Sequence, residues 1–417
     1  KSPAARHYPA SPMTRRKLKL GYLTLAGLNA FATGYYFTYL FFHLASAFHF
    51  SNLENLAVAA TNGFVYCVVA WYGGRFGQTH GYFNGLKLGF AVMGLGLLSG
   101  ILLPSGAAGQ IVTVIAWTLG MCFTWPTLEA LVTEDEDRVG VTRMVGIYNV
   151  VWASGSGLAT FLGGLLYERW GARSIFWLPA GIHGIQVALT FWLERRYAIE
   201  HRNATAPSPS VSGPALSDLT PTEAEAAHLS RTVAQSFQRM AWLTNPFAYI
   251  AISTVVPLIP ALARRYDLTP MYAGFFCSVW LFARLGAFVL HWRWTQWHYH
   301  FGWLLCAYVT LVLSFAAIFL VPQLWVAMLA QAFFGWAIGL IYYSSLFYSM
   351  DATDTKGVQG GIHESALGFG VFAGPAVGAV ALRFFPGLAN MSTWAVSGLL
   401  LVGLAGLFWL RQKGRSR

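Results

Sequence analysis

Charged residues are scarce in this sequence: Asp, Glu, Lys and Arg together make up 10% of the 417 residues, whereas 56% are hydrophobic. Soluble globular domains carry about 25% charged residues, so this composition, with a mean hydropathy of +0.51, excludes an ordinary soluble protein. The charges sum to +11. In so apolar a chain, basic residues indicate which side of a membrane a loop occupies rather than affinity for nucleic acid. We therefore expect an integral membrane protein without a nucleic-acid partner.

Cysteine and the usual cofactor motifs are also rare. The four cysteines lie in apolar stretches without CxxC spacing, which excludes a disulfide framework and a cysteine metal cluster. No Walker GxxxxGK[ST] sequence occurs, so direct use of ATP is not expected. A membrane enzyme would need clustered acid, base or metal residues, and the loops offer only the acidic run Glu134–Asp137 and the histidines of the HWRWTQWHYH turn. We expect no metal, no other cofactor and no enzyme.

Glycine, in contrast, is abundant, and its positions repeat. The stretch from Gly146 to Gly164, GIYNVVWASGSGLATFLGG, returns as Gly361 to Ala379, GIHESALGFGVFAGPAVGA, so that Gly155 aligns with Gly370. Small residues let transmembrane helices approach closely. Internal repeats are typical of transporters whose two halves move against each other. The repeat therefore predicts a duplicated membrane protein.

Apolar runs of about 20 residues, the length of a membrane-spanning helix, occur in two sets of six. The first set covers about 21–46, 54–72, 84–103, 109–132, 142–166 and 174–193. The second covers about 246–264, 271–291, 301–321, 323–348, 358–382 and 391–410. The sequence thus predicts an all-α integral membrane protein with twelve transmembrane helices in two pseudo-symmetric six-helix halves, residues 18–194 and 242–411, with tails at 1–17 and 412–417.

The basic residues predict the orientation. If the N-terminus is inside, nearly all Lys and Arg of the tails and loops fall inside as well. The outer side then carries only Arg169, Arg173, Arg264, Arg265 and Arg383, and Arg284 lies within span eight. Because Lys and Arg concentrate in cytoplasmic loops, we expect both tails and the central segment to be cytoplasmic, in the inner (plasma) membrane of a bacterium.

The central segment, residues 195–241, has two parts. From His201 to Leu219 it is rich in Ala, Ser and Pro and reads as a flexible linker. Thr220, Pro221 and Glu223 then form a helix start with a cap, a first-turn proline and a glutamate at the third position. One apolar face follows: Leu229, Val233, Phe237 and Met240. We expect an amphipathic helix at the membrane interface that tethers the halves or binds a partner.

Twelve spans in two sets, a long central segment and the pair Gly374–Pro375 in span eleven resemble the major facilitator superfamily over roughly residues 18–411. In that family the turn between spans two and three usually reads GxxxDRxGR, and here Arg75 and Gly77 match. The other positions are taken by Ala70, Gly74 and Gln78. The resemblance implies the transporter fold of the family. It also implies that the contact usually made by the missing aspartate is absent or supplied elsewhere.

The resemblance places a solute site near the bilayer midplane, between spans one, four, seven and ten. Polar and aromatic residues line one face of each span, and our candidates for the cavity are Asn29, Thr33 and Tyr36 (span one), Trp125 (span four), Tyr249 and Ser253 (span seven), and Gln331 and Tyr342 (span ten). Hydroxyls, amides and ring faces with little fixed charge suit a neutral or weakly charged organic solute, because a strongly anionic one would require Arg or Lys in these spans.

Ionisable residues within or beside spans are usually paired or functional. The candidates for coupling or gating are Glu129, Arg284, His363, Glu364, Arg75 and His43. We expect Glu364 to pair with Arg284, either as a static ion pair or as a gate, and Glu129 to be interfacial or coupling. In the repeat, Tyr148 and Asn149 become His363 and Glu364, so these positions distinguish the two copies.

Together these features predict a secondary active transporter that works by alternating access, with protons as the default coupling ion and a lipid bilayer around a functional monomer. A different class stays open, because the altered turn at Arg75 and the sparse charge also fit a scaffold that has lost transport. Such a protein would serve as a membrane assembly factor or sensor with a protein partner. Proton-dependent solute flux distinguishes the two.

Overall fold

The computed structural model describes residues 12–102, 106–134, 136, 138–202, 221–294, 296–351 and 356–415, and within these ranges no strand occurs. The first half contains α1 (Pro12–Ala47), α2 (Asn52–His80), α3 (Tyr82–Leu102), α4 (Ala107–Thr133), α5 (Arg138–Trp170) and α6 (Ser174–Arg202). The second contains α7 (Pro221–Val255), α8 (Ile259–Arg265), α9 (Pro270–Arg293), α10 (Phe301–Leu320), α11 (Leu324–Asp351), α12 (Lys356–Phe384) and α13 (Met391–Arg415). Each predicted span corresponds to one helix, except that the seventh joins α7 to α8 through a 3-10 turn at Val256–Leu258.

Eleven of these spans, in the part of the chain that the structure describes, are long and apolar enough to cross a membrane. The remaining one, α1, carries Asn29 and several tyrosines, among them Tyr35 and Tyr39, and all three side chains are fully buried. A polar helix is tolerated in a bilayer when its polar groups face protein rather than lipid. The predicted fold class of twelve transmembrane helices in two six-helix halves is therefore confirmed.

Within the described ranges, the connections between consecutive helices are short turns. Ser51 begins α2 with a capping box: its hydroxyl accepts the backbone N–H of Glu54 at 3.4 Å, and the Glu54 carboxylate accepts the backbone N–H of Ser51 at 2.7 Å. Gly81 ends the same helix with a φ of 92°, which glycine adopts without strain. Because the twelve spans alternate in direction, α1 begins and α13 ends on the same side of the bundle, which we name the terminal end.

The repeated glycines have the same packing role in both halves. Gly155 of α5 lies against α1, where a Cβ would be 2.7 Å from the carbonyl oxygen of Gly27. A Cβ on its counterpart Gly370 of α12 would lie even closer to the carbonyl oxygen of Pro246 in α7. A side chain at either position would collide with backbone, so the repeat sets close helix packing inside each half. The halves themselves meet along two helix pairs, α2 with α12 and α5 with α9.

The central segment differs from the prediction of a separate interfacial helix. Instead, α7 runs without interruption from Pro221 to Val255 and becomes the seventh span. No glycine or proline occurs between Pro221 and Pro246, so nothing in the sequence ends the helix at the membrane boundary. Phe237 and Met240 are buried as expected, whereas Val233 is 48% exposed. The side chain of Leu229 and most of the predicted linker lie outside the described residues.

Candidate functional site

A cavity of about 250 Å³ lies between the halves and is lined by α1, α2, α4 and α5 on one side and by α7, α9, α11 and α12 on the other. Its aromatic lining consists of Phe37, Tyr66, Trp117, Trp125, Tyr148, Trp152, Tyr249, Trp280 and Tyr342. Its polar lining consists of Thr33, Thr38, Asn62, Glu129, Ser156, Thr160, Ser253, Arg284 and Glu364. Ring faces with a few fixed polar groups are the usual composition of a small-molecule site.

Five of the predicted cavity residues line this space: Thr33 on α1, Trp125 on α4, Tyr249 and Ser253 on α7, and Tyr342 on α11. They come from both halves, and all four helices that the resemblance indicated contribute at least one. Their side chains are hydroxyls, a phenol pair and an indole, so none carries a fixed charge at neutral pH.

Three predicted cavity residues do not line it. Asn29 faces α4, where its Nδ2 donates to Thr124 Oγ1 at 3.3 Å. Tyr36 packs its ring edge-on against Trp117, with the ring centroids 4.9 Å apart. Gln331 lies about three turns before Tyr342 on α11 and is 1% exposed inside the second half. These side chains share a helix with the site, but they belong to the packing within a half.

Other lining residues come from helices that the sequence did not indicate as cavity walls. Tyr66 lies on α2, Tyr148 and Trp152 on α5, and Trp280 on α9. The resemblance directed attention to spans one, four, seven and ten, so the helices at the two junctions between the halves were left out. A signal was present: Trp280 lies one helical turn before the intramembrane Arg284, on the same face.

An acidic group lies in the cavity towards the terminal end, where α4 ends and α12 begins. The Tyr66 hydroxyl donates to Glu364 Oε2 at 2.5 Å. The side chain of Glu129 lines the cavity next to that of Glu364, close enough for the two carboxyl groups to interact. Tyr66 and Glu129 belong to the first half and Glu364 to the second, so this contact joins the halves. Glu129, expected at the interface or in coupling, therefore faces the cavity.

Arg284 does not form the predicted ion pair with Glu364. Among the described side chains, the recorded ion pairs are Lys19 with Glu136 and Lys87 with Glu194. The Arg284 guanidinium lies instead over the indole rings of Trp152 and Trp280, 4.5 and 5.0 Å from their centroids. The Glu364 carboxylate, which was expected to neutralise Arg284, instead accepts a hydrogen bond from Tyr66 of the first half.

Two of the remaining coupling candidates, His43 and Arg75, lie outside the cavity lining. His43 contacts Phe48 and Phe176 edge-on, with centroid distances of 5.6 Å, and its Nδ1 has no hydrogen-bond partner among the described residues. Arg75 is exposed near the end of α2, 5.5 Å from the ring centroid of Trp71 on the same helix. The side chain of His363 is outside the described ones, so its predicted role stays a prediction.

The end of the bundle opposite the terminal end is closed by contacts between the halves. Asn55 Nδ2 on α2 donates to the carbonyl oxygen of Pro257 at 3.3 Å. The backbone N–H of Met271, at the start of α9, donates to Glu168 Oε1 at the end of α5, at 2.8 Å. The acidic group faces the cavity from the other direction, so the cavity lies between two sets of contacts that join the halves.

Nothing in the described ranges is arranged as a metal centre, since no group of three or more His, Cys, Asp or Glu side chains comes together there. The chemistry that the site offers is binding, by ring faces and hydroxyls, and proton exchange at the carboxyl pair. Neither requires a cofactor.

Comparisons with known proteins agree with this architecture. The sequence model of the Major Facilitator Superfamily matches residues 23–375. No curated protein matches the chain. The solved structure of the nucleoside transporter NupG is similar, with a TM-score of 0.66 at 15% identity over 94% of this chain and 98% of that one. A variant of NupG gives 0.67 at 13% identity over 94% and 99%.

The human organic anion transporter MFSD10 (TETRAN) is similar with a TM-score of 0.63 at 13% identity, over 95% of this chain and all of that one. At such identities, likeness to these structures shows the fold alone. The family match, in contrast, covers most of the sequence and agrees with the two six-helix halves. The chain therefore belongs to the major facilitator superfamily, a family of membrane transporters.

Proposed function

We propose that this protein is a proton-coupled secondary transporter that moves a small, neutral or weakly charged organic solute by alternating access. The observation that carries the proposal is the cavity between the halves, which receives four helices from each half. A site that is divided in this way opens to one side or the other as the halves rock about it. The structures similar in fold include a nucleoside transporter and an organic anion transporter, whose names indicate small organic solutes.

The lining supports an organic solute with an apolar or aromatic body. Trp117 and Trp125 come from α4, Trp152 from α5 and Trp280 from α9. Indole faces bind flat apolar groups by stacking. Hydroxyls such as that of Ser253 add hydrogen bonds that fix orientation without adding charge. An inorganic ion would gain little binding energy from a lining of indole rings and hydroxyls.

The carboxyl pair supports proton coupling. Two carboxyl groups hydrogen-bond to each other only when at least one carries a proton, and two carboxylates repel. A proton bound between Glu129 and Glu364 therefore holds α4 of the first half to α12 of the second. Its loss breaks that contact and favours separation of the halves at the terminal end. Several phenols surround the pair, namely Tyr66, Tyr148, Tyr249 and Tyr342.

The close helix pairs support movement of the halves as units. Within each half, Gly155 and Gly370 let α5 and α12 approach the backbones of α1 and α7. Between the halves, the hydrogen bonds of Asn55 and Glu168 close one end of the bundle. Alternating access would break these bonds while the contacts inside each half stay intact. We place the protein in a bacterial inner membrane, as a monomer with both ends cytoplasmic.

Proteoliposomes test this function. The purified protein would be reconstituted with a trapped pH-sensitive dye and offered a panel of nucleosides, sugars, aromatic acids and amphipathic amines. We expect at least one solute to drive proton movement that protein-free vesicles do not show, and a pH gradient to accelerate its uptake. A Glu129→Gln/Glu364→Gln double variant should lose this coupling.

An alternative assignment has one supporting observation. The turn at Arg75 lacks the acidic residue usual in the family, and among the described residues the ring contact recorded for the Arg75 guanidinium is with Trp71 of its own helix. This fits a transport-inactive scaffold, assembly factor or sensor. Absence of flux across the whole panel, together with stable co-purification of a protein partner, would favour that assignment and contradict ours.

A further inference from the structure

Arg284 is a buried charge whose neutralising partner is not part of the described structure. It is 4% exposed and lines the cavity. Its Nε has no hydrogen-bond partner among the described residues, and no described carboxylate pairs with it. Buried charges in proteins are normally paired, because transfer of an isolated ion out of water costs several kcal/mol.

The two acidic side chains of the cavity lining are engaged elsewhere. Glu364 accepts a hydrogen bond from Tyr66, and Glu129 lies next to Glu364. The phenols of Tyr249 and Tyr342 lie near Arg284, but a phenol is neutral at physiological pH and cannot balance a guanidinium. Within the described cavity lining, the guanidinium is therefore without a counter-ion.

The guanidinium is nevertheless held firmly in place. Its two ring contacts come from different halves, Trp152 from α5 and Trp280 from α9. The indole of Trp152 is itself fixed, since its Nε1 donates to Asn149 Oδ1 at 3.0 Å. Trp280 packs edge-on against Phe334, with the ring centroids 5.8 Å apart. Ring faces attract a guanidinium and position it, but they leave its N–H donors without oxygen acceptors.

We propose that Arg284 binds the anionic head group of the transported solute, and that this solute is an organic monoanion with a flat apolar or aromatic body. The proposal rests on the proposed transport function and specifies its substrate class. A carboxylate matches the planar fork of a guanidinium and takes two parallel hydrogen bonds from it. Trp152 and Trp280 then flank the head group, and the tryptophans of α4 face the body.

A single negative charge fits better than two. One guanidinium balances one carboxylate, and the Glu129–Glu364 pair in the same cavity would repel a second negative charge. Aliphatic polyols and sugars fit less well, because they carry no negative charge and would leave the guanidinium uncompensated. The solute is thus recognised at one end by charge and along its body by rings.

Matched acid and amide ligands test this assignment. The full-length protein in nanodiscs would be titrated, at a pH where carboxylic acids are ionised, with indole-3-acetate, phenylacetate and 4-phenylbutyrate and with the primary amide of each. We expect at least one acid to bind about tenfold more tightly than its amide. Arg284→Gln should abolish that preference while amide binding remains, and Arg284→Lys should keep part of it.

Arg196→Gln is the matched control, because Arg196 also lies over an indole, 5.4 Å from the ring centroid of Trp192, but is exposed near the end of α6. It should leave the preference unchanged. The wild-type comparison needs no variant, so the proposal remains testable if Arg284→Gln does not fold.

Absence of preference for any acid would overturn the proposal, as would a preference that survives Arg284→Gln. Proton-driven uptake of a neutral solute in that case would leave the proposed transport function intact. Conversely, a preference for the acid that depends on Arg284, without any solute flux, would contradict the proposed transport function but support the anion site at Arg284.

Discussion

The two helix pairs that join the halves share a repeated framework but present different chemistry to the cavity. In the pair α5–α9, Asn149 fixes Trp152, which lies over Arg284. In the pair α2–α12, the position aligned with Asn149 is Glu364, which binds Tyr66 across the junction. One substitution in a repeat thus separates a candidate anion site from a candidate proton site, while the glycines around both positions preserve the packing.

The two pairs also differ in what lies against one glycine of each pair, Gly368 in α12 and Gly157 in α5. In α2–α12, a Cβ on Gly368 would lie 2.5 Å from Cys67 Cα, so the helices touch backbone to backbone. In α5–α9, a Cβ on Gly157 would instead lie 3.2 Å from the ring of Phe282. Rings can rotate, whereas backbones cannot yield without moving a helix. At its other end α5–α9 also meets backbone to backbone, since a Cβ on Gly274 would lie 2.7 Å from the carbonyl oxygen of Thr160. We therefore infer a local difference, and we name the contact at Gly368 the rigid junction and the contact at Gly157 the adaptable junction.

The largest effect is expected from a methyl group at the rigid junction. Gly368→Ala should lower the free energy of unfolding of the purified protein by about 1–3 kcal/mol, because the methyl group must displace the backbone of α2. Alanine is the better helix former by about 1 kcal/mol, but the clash outweighs that gain. Solute flux should fall as well, since the junction would no longer close.

Two alanine controls separate clash from helix propensity. Gly157→Ala at the adaptable junction should change stability little, because Phe282 can tilt away. Gly286→Ala on α9 has no neighbouring atom within 4 Å of the new methyl and should be neutral or stabilising. Equal unfolding temperatures for the Gly368 and Gly286 variants would remove the distinction between rigid and adaptable junctions.

Much of this architecture was predictable from sequence. The lengths of the spans reflect bilayer thickness, and the spacing of glycines reflects the close approach of neighbouring helices. Both features can therefore be read directly from the sequence. The continuous α7 was not foreseen. The polarity of residues 220–240 suggested a separate surface helix, whereas continuity depends on the absence of a helix-breaking residue before Pro246.

The site was less predictable, because it depends on which polar residues meet across the junctions. Sequence identified Glu129, Arg284 and Glu364 as the unusual charges, since few charged residues enter the spans. It paired Glu364 with the wrong partner. Both residues belong to the second half and lie near the inner ends of their spans, which suggested the pair, but only the relative rotation of α4, α9 and α12 decides that Glu364 lies next to Glu129 instead.

The next largest effect concerns the acidic group. Combining Glu129→Gln with Glu364→Gln should be non-additive in stability by about 1 kcal/mol, because the two carboxyl groups lie side by side, whereas the coupling between Arg284→Gln and Glu364→Gln should be clearly weaker, because no ion pair joins those side chains. A glutamine can donate to the remaining carboxylate without a bound proton. In the wild type, the contact between the two side chains is present when the pair holds a proton and is lost as pH rises. The single variants should therefore lose this pH dependence.

Thermal unfolding of the four proteins in each cycle, measured at several pH values, supplies both readouts. Strong coupling between Arg284 and Glu364, with none between the two glutamates, would restore the ion pair expected from sequence and remove the acidic group as the proton site.

The smallest effect is expected at Trp125, which distinguishes the body of the solute from its head group. Trp125→Ala should weaken binding of an aromatic acid and of its amide by a similar factor, about threefold to tenfold, because stacking contributes roughly 0.5–1.5 kcal/mol and does not depend on the charge of the ligand. Trp152→Ala should instead reduce mainly the preference for the acid, since Trp152 positions Arg284. Trp325→Ala is the matched control, because the Trp325 side chain is 69% exposed. It should change neither the binding affinity nor the preference for the acid. If Trp125→Ala lowered thermal stability without solute as strongly as it weakened binding, Trp125 would belong to the packing of α4, and the solute would be held mainly at the junction of α5 with α9.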